Sequence, residues 1–278
     1  MKHLSAKVIE NRQVLKELER RGKRNILGSF IIWLRCPEIA KEAKPGQFVM
    51  VCCGKETFLP RPFSIHQIND QGEIALLYAV LEGGRGTNWL SSRRSGDSIE
   101  LFGPLGNGFS VSPTSHNLLL VAGGIGIAPL AFLAHEASKR GFKIKLLLGA
   151  SGERKPSGEA NPSQLYPREL LPPQIEVETI ISSPDGKRNL VTDLIPRSVP
   201  WADEVFACGP TPMYHEMVKK KEELGLQGKA VQISLEARMG CGRGICFGCT
   251  IKTKGGLKKV CQDGPVFELD DIIWESLA

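Results

Sequence analysis

Cys241-Gly-Arg-Gly-Ile-Cys246-Phe-Gly-Cys249, with Cys261 following after eleven further residues, sets the terms for the rest of the chain. The spacing is C-x4-C-x2-C…C, that of plant-type [2Fe–2S] proteins, and four thiolates complete the ligand set of such a cluster. Gly242, Gly244 and Gly248 are interleaved with the cysteines. Without a Cβ, glycine takes positive φ freely and lets backbone N–H groups approach sulfur. Two other uses of four cysteines stay open. Zinc ribbons usually show two separated CxxC-like pairs, whereas three cysteines here crowd one loop. Paired disulfides suit small secreted chains, and this chain of 278 residues opens on Met-Lys-His-Leu-Ser-Ala-Lys, with no apolar signal core. The spacing predicts an electron carrier.

Composition bounds what else the chain can be. With 41% hydrophobic and 24% charged residues it has the make-up of an ordinary globular protein, long enough for about two domains and a small third unit. The net charge of +6 is spread out, with short basic clusters at Arg20–Arg24 and Lys219–Lys221. These read as solvated faces, and no aromatic-interleaved basic motif points to nucleic acid. The uncharged stretch Asn117–Ala134 approaches the length of a membrane helix. Gly123, Gly124, Gly126 and Pro129 break it into strand, turn and helix, so no span is expected. Cys36, Cys52, Cys53 and Cys208 remain; the adjacent Cys52 and Cys53, in an apolar strand-like run, read as reduced core thiols, which suits the cytoplasm.

The expected fold is α/β plus β. Short strands at Ser29–Leu34, Gln47–Cys53, Pro62–Gln67, Ile74–Val80 and Ser98–Phe102, parted by turn residues, predict an antiparallel β-barrel over residues 1–112. Gln13–Arg24 is charged and helix-compatible, and reads as an insertion. Beyond Gly103-Pro-Leu-Gly-Asn-Gly108 the texture changes. Apolar strands at Asn117–Ala122, Lys143–Leu148, Glu176–Ile181 and Glu204–Cys208 alternate with helices at Pro129–Arg140 and Thr211–Leu224. That alternation predicts a parallel α/β nucleotide-binding domain over 113–232. The cysteine cluster then forms a small domain over 233–278.

Several segments could meet cofactors. Arg61-Pro-Phe-Ser64 offers a rigid guanidinium fork for phosphate, a stiffened approach, and a small hydroxyl with its N–H for a flavin edge. Gly83-Gly-Arg-Gly86-Thr87 opens a helix at Asn88–Ser92 and could leave N–H groups for a pyrophosphate. Gly123, Gly124 and Gly126 form a strand-to-helix turn suited to phosphate, though Pro129 stands where a G-x-G-x-x-G fingerprint would have its third glycine. Cys208-Gly209-Pro210-Thr-Pro-Met213 makes a second such turn.

The order RPFS, Tyr78-Ala79-Val80, Gly86-Thr87, GPLGNGF and GGIGIAP resembles the ferredoxin–NADP⁺ reductase superfamily. That resemblance implies FAD held by Arg61, Pro62, Phe63, Ser64, Tyr78, Ala79, Val80, Gly86 and Thr87. It also implies a nicotinamide beside Cys208, Gly209, Pro210 and Met213, with Cys208 near the hydride path as a pocket residue and not as a nucleophile. Over nearly the whole chain, Ser234-Leu-Glu-Ala-Arg-Met239-Gly-Cys241 through Phe267 included, the sequence is similar to the electron-transfer subunit of two-subunit (type B) bacterial dihydroorotate dehydrogenase. This likeness implies a [2Fe–2S] cluster on Cys241, Cys246, Cys249 and Cys261. It implies an FMN-containing dihydroorotate dehydrogenase catalytic subunit as partner, a heterotetramer, contact at Arg243–Phe247, and electrons passing through cluster and FAD to NAD⁺. NAD is favoured; NADP stays open, since Ser151, Arg154 and Lys155 stand where a 2′-phosphate could bind. The short last cysteine loop and the insertion around Gln13–Asn25 depart from the pattern. They leave room for the small subunit of NADH-dependent ferredoxin:NADP⁺ oxidoreductase, or for a hydrogenase or sulfide dehydrogenase diaphorase subunit. The non-enzymatic rival is a zinc-bearing binding module.

Overall fold

The computed structural model describes residues 2–21, 24–151, 166–182 and 189–277. Strands β1 (Lys2–Arg21), β2 (Arg24–Arg35), β3 (Phe48–Val51), β4 (Arg61–Ile68), β5 (Glu73–Leu81) and β6 (Ser98–Leu105) close an antiparallel barrel in the order β1-β2-β5-β4-β3-β6. Two short helices, α1 (Pro37–Ala40) and α2 (Arg85–Ser91), fill its connections. Closure removes the exposed edges an open sheet would carry. Alternate side chains such as Ile32, Leu34, Ile65, Leu76, Tyr78 and Val80 pack the interior.

One expectation for this half is corrected. The described part of Gln13–Arg24 is not helical: β1 runs to Arg21, with Lys16 opposite Gly28 and Leu18 opposite Ile26 on β2. Only residues 2–7 of β1 pair with β6; beyond them β1 is held by β2 alone, while β2 stays paired with β5 from Ile26 to Arg35. A local preference for helix gives way to ladder bonds with a partner strand whose own β pattern is strong.

The second half alternates β7 (Asn117–Gly123), α3 (Ile127–Lys139), β8 (Lys143–Ser151), β9 (Glu176–Ser182), α4 (Ile195–Ser198), β10 (Glu204–Cys208), α5 (Thr211–Lys219) and β11 (Ala230–Ser234). With β14 (Val266–Glu268) from the end of the chain, the sheet order is β14-β11-β10-β7-β8-β9. Its five strands from β11 to β9 are parallel, and β14 joins antiparallel to β11. A strand covered on both faces is apolar throughout. In β7, Leu118, Leu120 and Ala122 face the α3 side, while Leu119 and Val121 face the α5 side. The α5 helix ends at Lys219, short of the expected Leu224, because Leu224–Leu226 bond back through turns.

The chain closes with β12 (Thr250–Thr253), β13 (Gly256–Lys259) and α6 (Val260–Asp263) ahead of β14. A single apolar core joins Phe48, Met50 and Phe102 of the barrel, the α5 side of the sheet, and Cys249, Val260, Cys261 and Trp274. Among the described residues no helix is long and apolar enough to cross a membrane.

Candidate functional site

A cleft of ≈250 Å³ lies between barrel, sheet and the segment that leads to the cysteines. Pro62, Phe63 and Ser64 of β4 line one wall with Ala79 of β5. Leu77, Ala79 and Leu81 share one face of β5 and reach the cleft; Tyr78 lines it as well, while packing with Val80 in the barrel interior. Tyr78 is locked there. Its ring lies edge-on to Phe63 at 5.8 Å and stacks on Phe30 at 5.9 Å. Its hydroxyl donates to Asn11 Oδ1 at 3.0 Å, and burial pushes the phenol pKa up, so it stays neutral.

Arg61 stands at the exposed end of β4, against the first turn of α2. A Cβ on Gly86 would come within 3.3 Å of Cys53 Cβ and 3.5 Å of the Arg61 side chain. The glycine therefore lets the guanidinium lie close to that turn. Asn88 donates to the carbonyl of Leu81 at 2.8 Å and holds the turn's entry, beside Thr87. Among the described residues no carboxylate pairs with Arg61, which leaves the fork to an anionic group.

Gly123, Gly124 and Gly126 lie on the turn after β7, and Gly209, Pro210 and Met213 on the turn after β10. The strands are neighbours, with Ala122 opposite Cys208. The two turns touch backbone to backbone: a Cβ on Gly126 would fall 2.0 Å from the Cys208 carbonyl, and one on Gly123 2.8 Å from Pro210. Gly124 differs, with φ +56° and open space around its missing Cβ. Cys208 is buried beneath. Burial, then the charge of Glu236, pushes its thiol pKa up, and Sγ donates to the Ser234 carbonyl at 3.4 Å. A neutral, hydrogen-bonded thiol is a wall and not a nucleophile.

The sequence assigned no role to Ala128 and Pro129 of α3, nor to Ser234–Ala237 and Met239, which also line the cleft. The available signal was position: Ser234 ends a parallel strand at its carboxyl end, where open α/β sheets bind ligands. Arg154 and Lys155 lie outside the described residues, as does the side chain of Ser151.

The four cysteines lie on the segment that follows the cleft residue Met239 and approach one another as two pairs. Gly242 (φ +62°) leans on the barrel, where a Cβ would fall 2.6 Å from Met50 Cγ. Gly244 (φ +72°) turns its N–H to Cys261 Sγ at 3.2 Å. Arg243 N–H points to Cys241 Sγ at 3.3 Å, and Cys261 N–H to Cys249 Sγ at 3.4 Å. Desolvation raises the Cys241 thiol, but the N–H groups of Arg243, Cys246 and Ile245 outweigh it and bring the pKa down to about 6. Desolvation and the Cys249 thiol push Cys261 up to about 12. The thiols are free and interact as two pairs, Cys241 with Cys246 and Cys249 with Cys261. Two pairs suit a two-iron centre with two thiolates on each iron. Among the described residues no three His, Cys, Asp or Glu side chains surround one ion position.

Residues 236–273 match the family model of the iron–sulfur cluster binding domain of dihydroorotate dehydrogenase B, and residues 30–109 that of the oxidoreductase FAD-binding domain. The solved structure of an NADH-dependent reduced ferredoxin–NADP oxidoreductase, described in connection with flavin-based electron bifurcation, superposes with a TM-score of 0.76. It is 26% identical, over 98% of this chain and 91% of that one. The chain is 36% identical to the dihydroorotate dehydrogenase B (NAD(+)) electron transfer subunit of Desulforamulus reducens, over 86% of this chain and 90% of that protein. The same subunit of Caldanaerobacter subterraneus subsp. tengcongensis is 35% identical, over 84% and 89%. Identity at this level across nearly the full length of both relatives places the chain in the family of dihydroorotate dehydrogenase B (NAD(+)) electron transfer subunits.

Proposed function

We propose that this chain passes electrons from a partner subunit, which oxidises dihydroorotate for pyrimidine synthesis, to NAD⁺. The observation that carries the reading is adjacency: Met239 lines the cleft, and Cys241, two residues on, opens the thiol set. Bound FAD supplies the exchange between single electrons from a [2Fe–2S] cluster and the electron pair of a hydride. The chain's own groups bind, orient and keep water out. Arg61 and the α2 turn with Gly86 and Thr87 hold the FAD phosphates. Pro62, Phe63, Ser64 and Ala79 wall the flavin ring, and Tyr78 and Val80 fix the strand from the barrel side. The two turns, Gly123, Gly124 and Gly126 with Cys208, Gly209, Pro210 and Met213, form the nicotinamide side. Cys241, Cys246, Cys249 and Cys261 hold the cluster.

Docking of an FMN-containing catalytic subunit over the cluster is supported by the surface there. Ile245 and Phe247, which flank Cys246, are 69% and 64% exposed, and Phe58 on the adjoining barrel loop is 99% exposed. Solvent-facing apolar side chains grouped round a ligand suit an interface. A two-plus-two heterotetramer in the reducing cytoplasm completes the reading. The near-complete overlap with the ferredoxin–NADP oxidoreductase structure favours a second one, the same relay serving a different partner.

Cofactor analysis of the isolated chain, followed by assay, separates these. Iron near two atoms and FAD near one per chain are expected, with flavin absorbance at about 450 nm. Dihydroorotate-dependent reduction of NAD⁺ should appear only after a dihydroorotate-oxidising subunit is added. Zinc without flavin would overturn the relay altogether; full cofactors without coupling to that subunit would favour the second reading.

A further inference from the structure

The seam between barrel and sheet carries a polar tie that none of the cofactor motifs includes. Helix α3 turns Ala128, Phe132 and His135 toward β4, the i, i+4, i+7 spacing of one helix face. Phe132, 1% exposed, enters the barrel's own core. Two polar contacts flank it. His66 of β4, fully buried, bonds through Nδ1 to the Ala128 carbonyl at 3.0 Å, and through Nε2 to the Tyr166 hydroxyl at 2.8 Å. One position along, Gln67 Nε2 reaches the Leu170 carbonyl at 2.7 Å and His135 Nε2 at 2.7 Å.

The chemistry fixes every proton in the first tie. A carbonyl only accepts, so His66 Nδ1 carries the hydrogen, Nε2 is left as an acceptor, and the Tyr166 hydroxyl donates to it. Burial brings the imidazole pKa down to about 4, which keeps this neutral tautomer. The ring of Tyr166 also meets the His66 ring edge-on at 5.9 Å. The tie sits where it can control the cleft. His66 lies two residues beyond Ser64, on the strand that lines one wall. Ala128, whose carbonyl it grips, lines the facing wall in the first turn of α3, directly after the glycine turn.

We infer that Tyr166 and His66 are positioning residues for hydride exchange: by tying β4 to the first turn of α3 they set the gap in which nicotinamide stacks on flavin. Neither touches the reacting atoms. They act through the spacing of Ser64 and Ala128 across the cleft, and an error of about 1 Å in such a spacing can slow a reaction ~100-fold. The inference rests on the proposed flavin and nicotinamide sites.

The test compares the flavin-loaded protein with Tyr166→Phe, His66→Leu and His66→Asn. Asparagine keeps a donor near the Ala128 carbonyl; leucine keeps none. Flavin and iron content, the rate of flavin reduction by NADH per bound flavin, and the long-wavelength charge-transfer absorbance are measured. Tyr166→Phe and His66→Leu should keep cofactors and NADH affinity yet reduce flavin about tenfold more slowly, with a weakened charge-transfer band. His66→Asn should fall between. Parental rate and band in Tyr166→Phe would overturn the inference. So would a loss confined to cofactor content or thermal stability with an unchanged rate per flavin. If His66→Leu fails to fold, Tyr166→Phe, which removes only a hydroxyl, decides the matter. A parental protein that binds no flavin would sink the proposed function, and this inference with it.

Discussion

Gly126 and Gly124 stand two residues apart on one turn and answer to different forces. At Gly126 the Cys208 carbonyl occupies the space a Cβ needs. Alanine there should force the two turns apart and destabilise the fold by about 3 kcal/mol, the upper part of the range for overpacking. At Gly124 the space is open and only φ +56° opposes a side chain, so alanine should cost about 1 kcal/mol. Urea unfolding of both variants measures the difference, and equal losses would refute the packing account. His66 gives a prediction in pH. Its folded pKa, about 4, lies below its ordinary 6.5 because burial disfavours the cation. Above pH 6.5 both states are neutral and stability is full. As pH falls toward 4 the unfolded chain takes up the proton first, so about 3 kcal/mol of stability drains away across that window. His135, also lowered by burial, acts with the same sign. Denaturant unfolding at several pH values should show the decline, and His66→Asn should flatten it. The arginine fork, the glycine turns and the thiol set are legible in sequence because each lies within a few consecutive residues. The His66–Tyr166 tie spans 100 residues, and neither residue has a local pattern that announces the other.

At the scale of elements, the parallel strands were readable because burial on both faces makes each an apolar run, and β10 begins and ends where the pattern does. The far arm of β1 was not, because its state depends on its partner strand β2, which was itself expected at Ser29–Leu34, and not on its own composition. Its value to the site comes through Asn11. The Asn11 amide donates to the carbonyls of Leu90 and Arg93 at 2.9 Å each, at the end of α2, while its Oδ1 accepts from Tyr78. One side chain thus ties the first strand to the helix by Arg61 and to the strand that lines the cleft. Asn11→Ala leaves a buried phenol and two carbonyls without these partners, and should destabilise the protein by about 1–3 kcal/mol. FAD should also bind more weakly, since the α2 turn loses its brace. Unfolding together with flavin titration tests both, and unchanged flavin affinity in a destabilised variant would sever the arm from the site.

For the molecule as a whole, the cysteine segment is built in two unequal parts. From β12 onward it belongs to the common core: Cys261 and Val260 are buried with Trp274, whose indole donates to the Leu269 carbonyl at 2.9 Å and packs on Tyr214 at 5.5 Å. Residues 240–248 have no strand or helix, and Cys246, Ile245 and Phe247 face solvent. Their conformation rests on N–H groups turned toward sulfur and on the fit of Gly242 against Met50. A metal that binds thiolates couples to the folding of the segment that supplies them, and a region with few buried contacts opens first. Iron chelation should therefore loosen 240–248 alone. Limited proteolysis read by mass spectrometry should find new cuts between Gly240 and Gly248, while flavin absorbance and the cooperative unfolding of barrel and sheet persist. Cuts spread through β12–β14, or flavin lost in step with iron, would mean that the thiol centre holds the whole C-terminal third in place, and that the shared core around Trp274 does not stand without it.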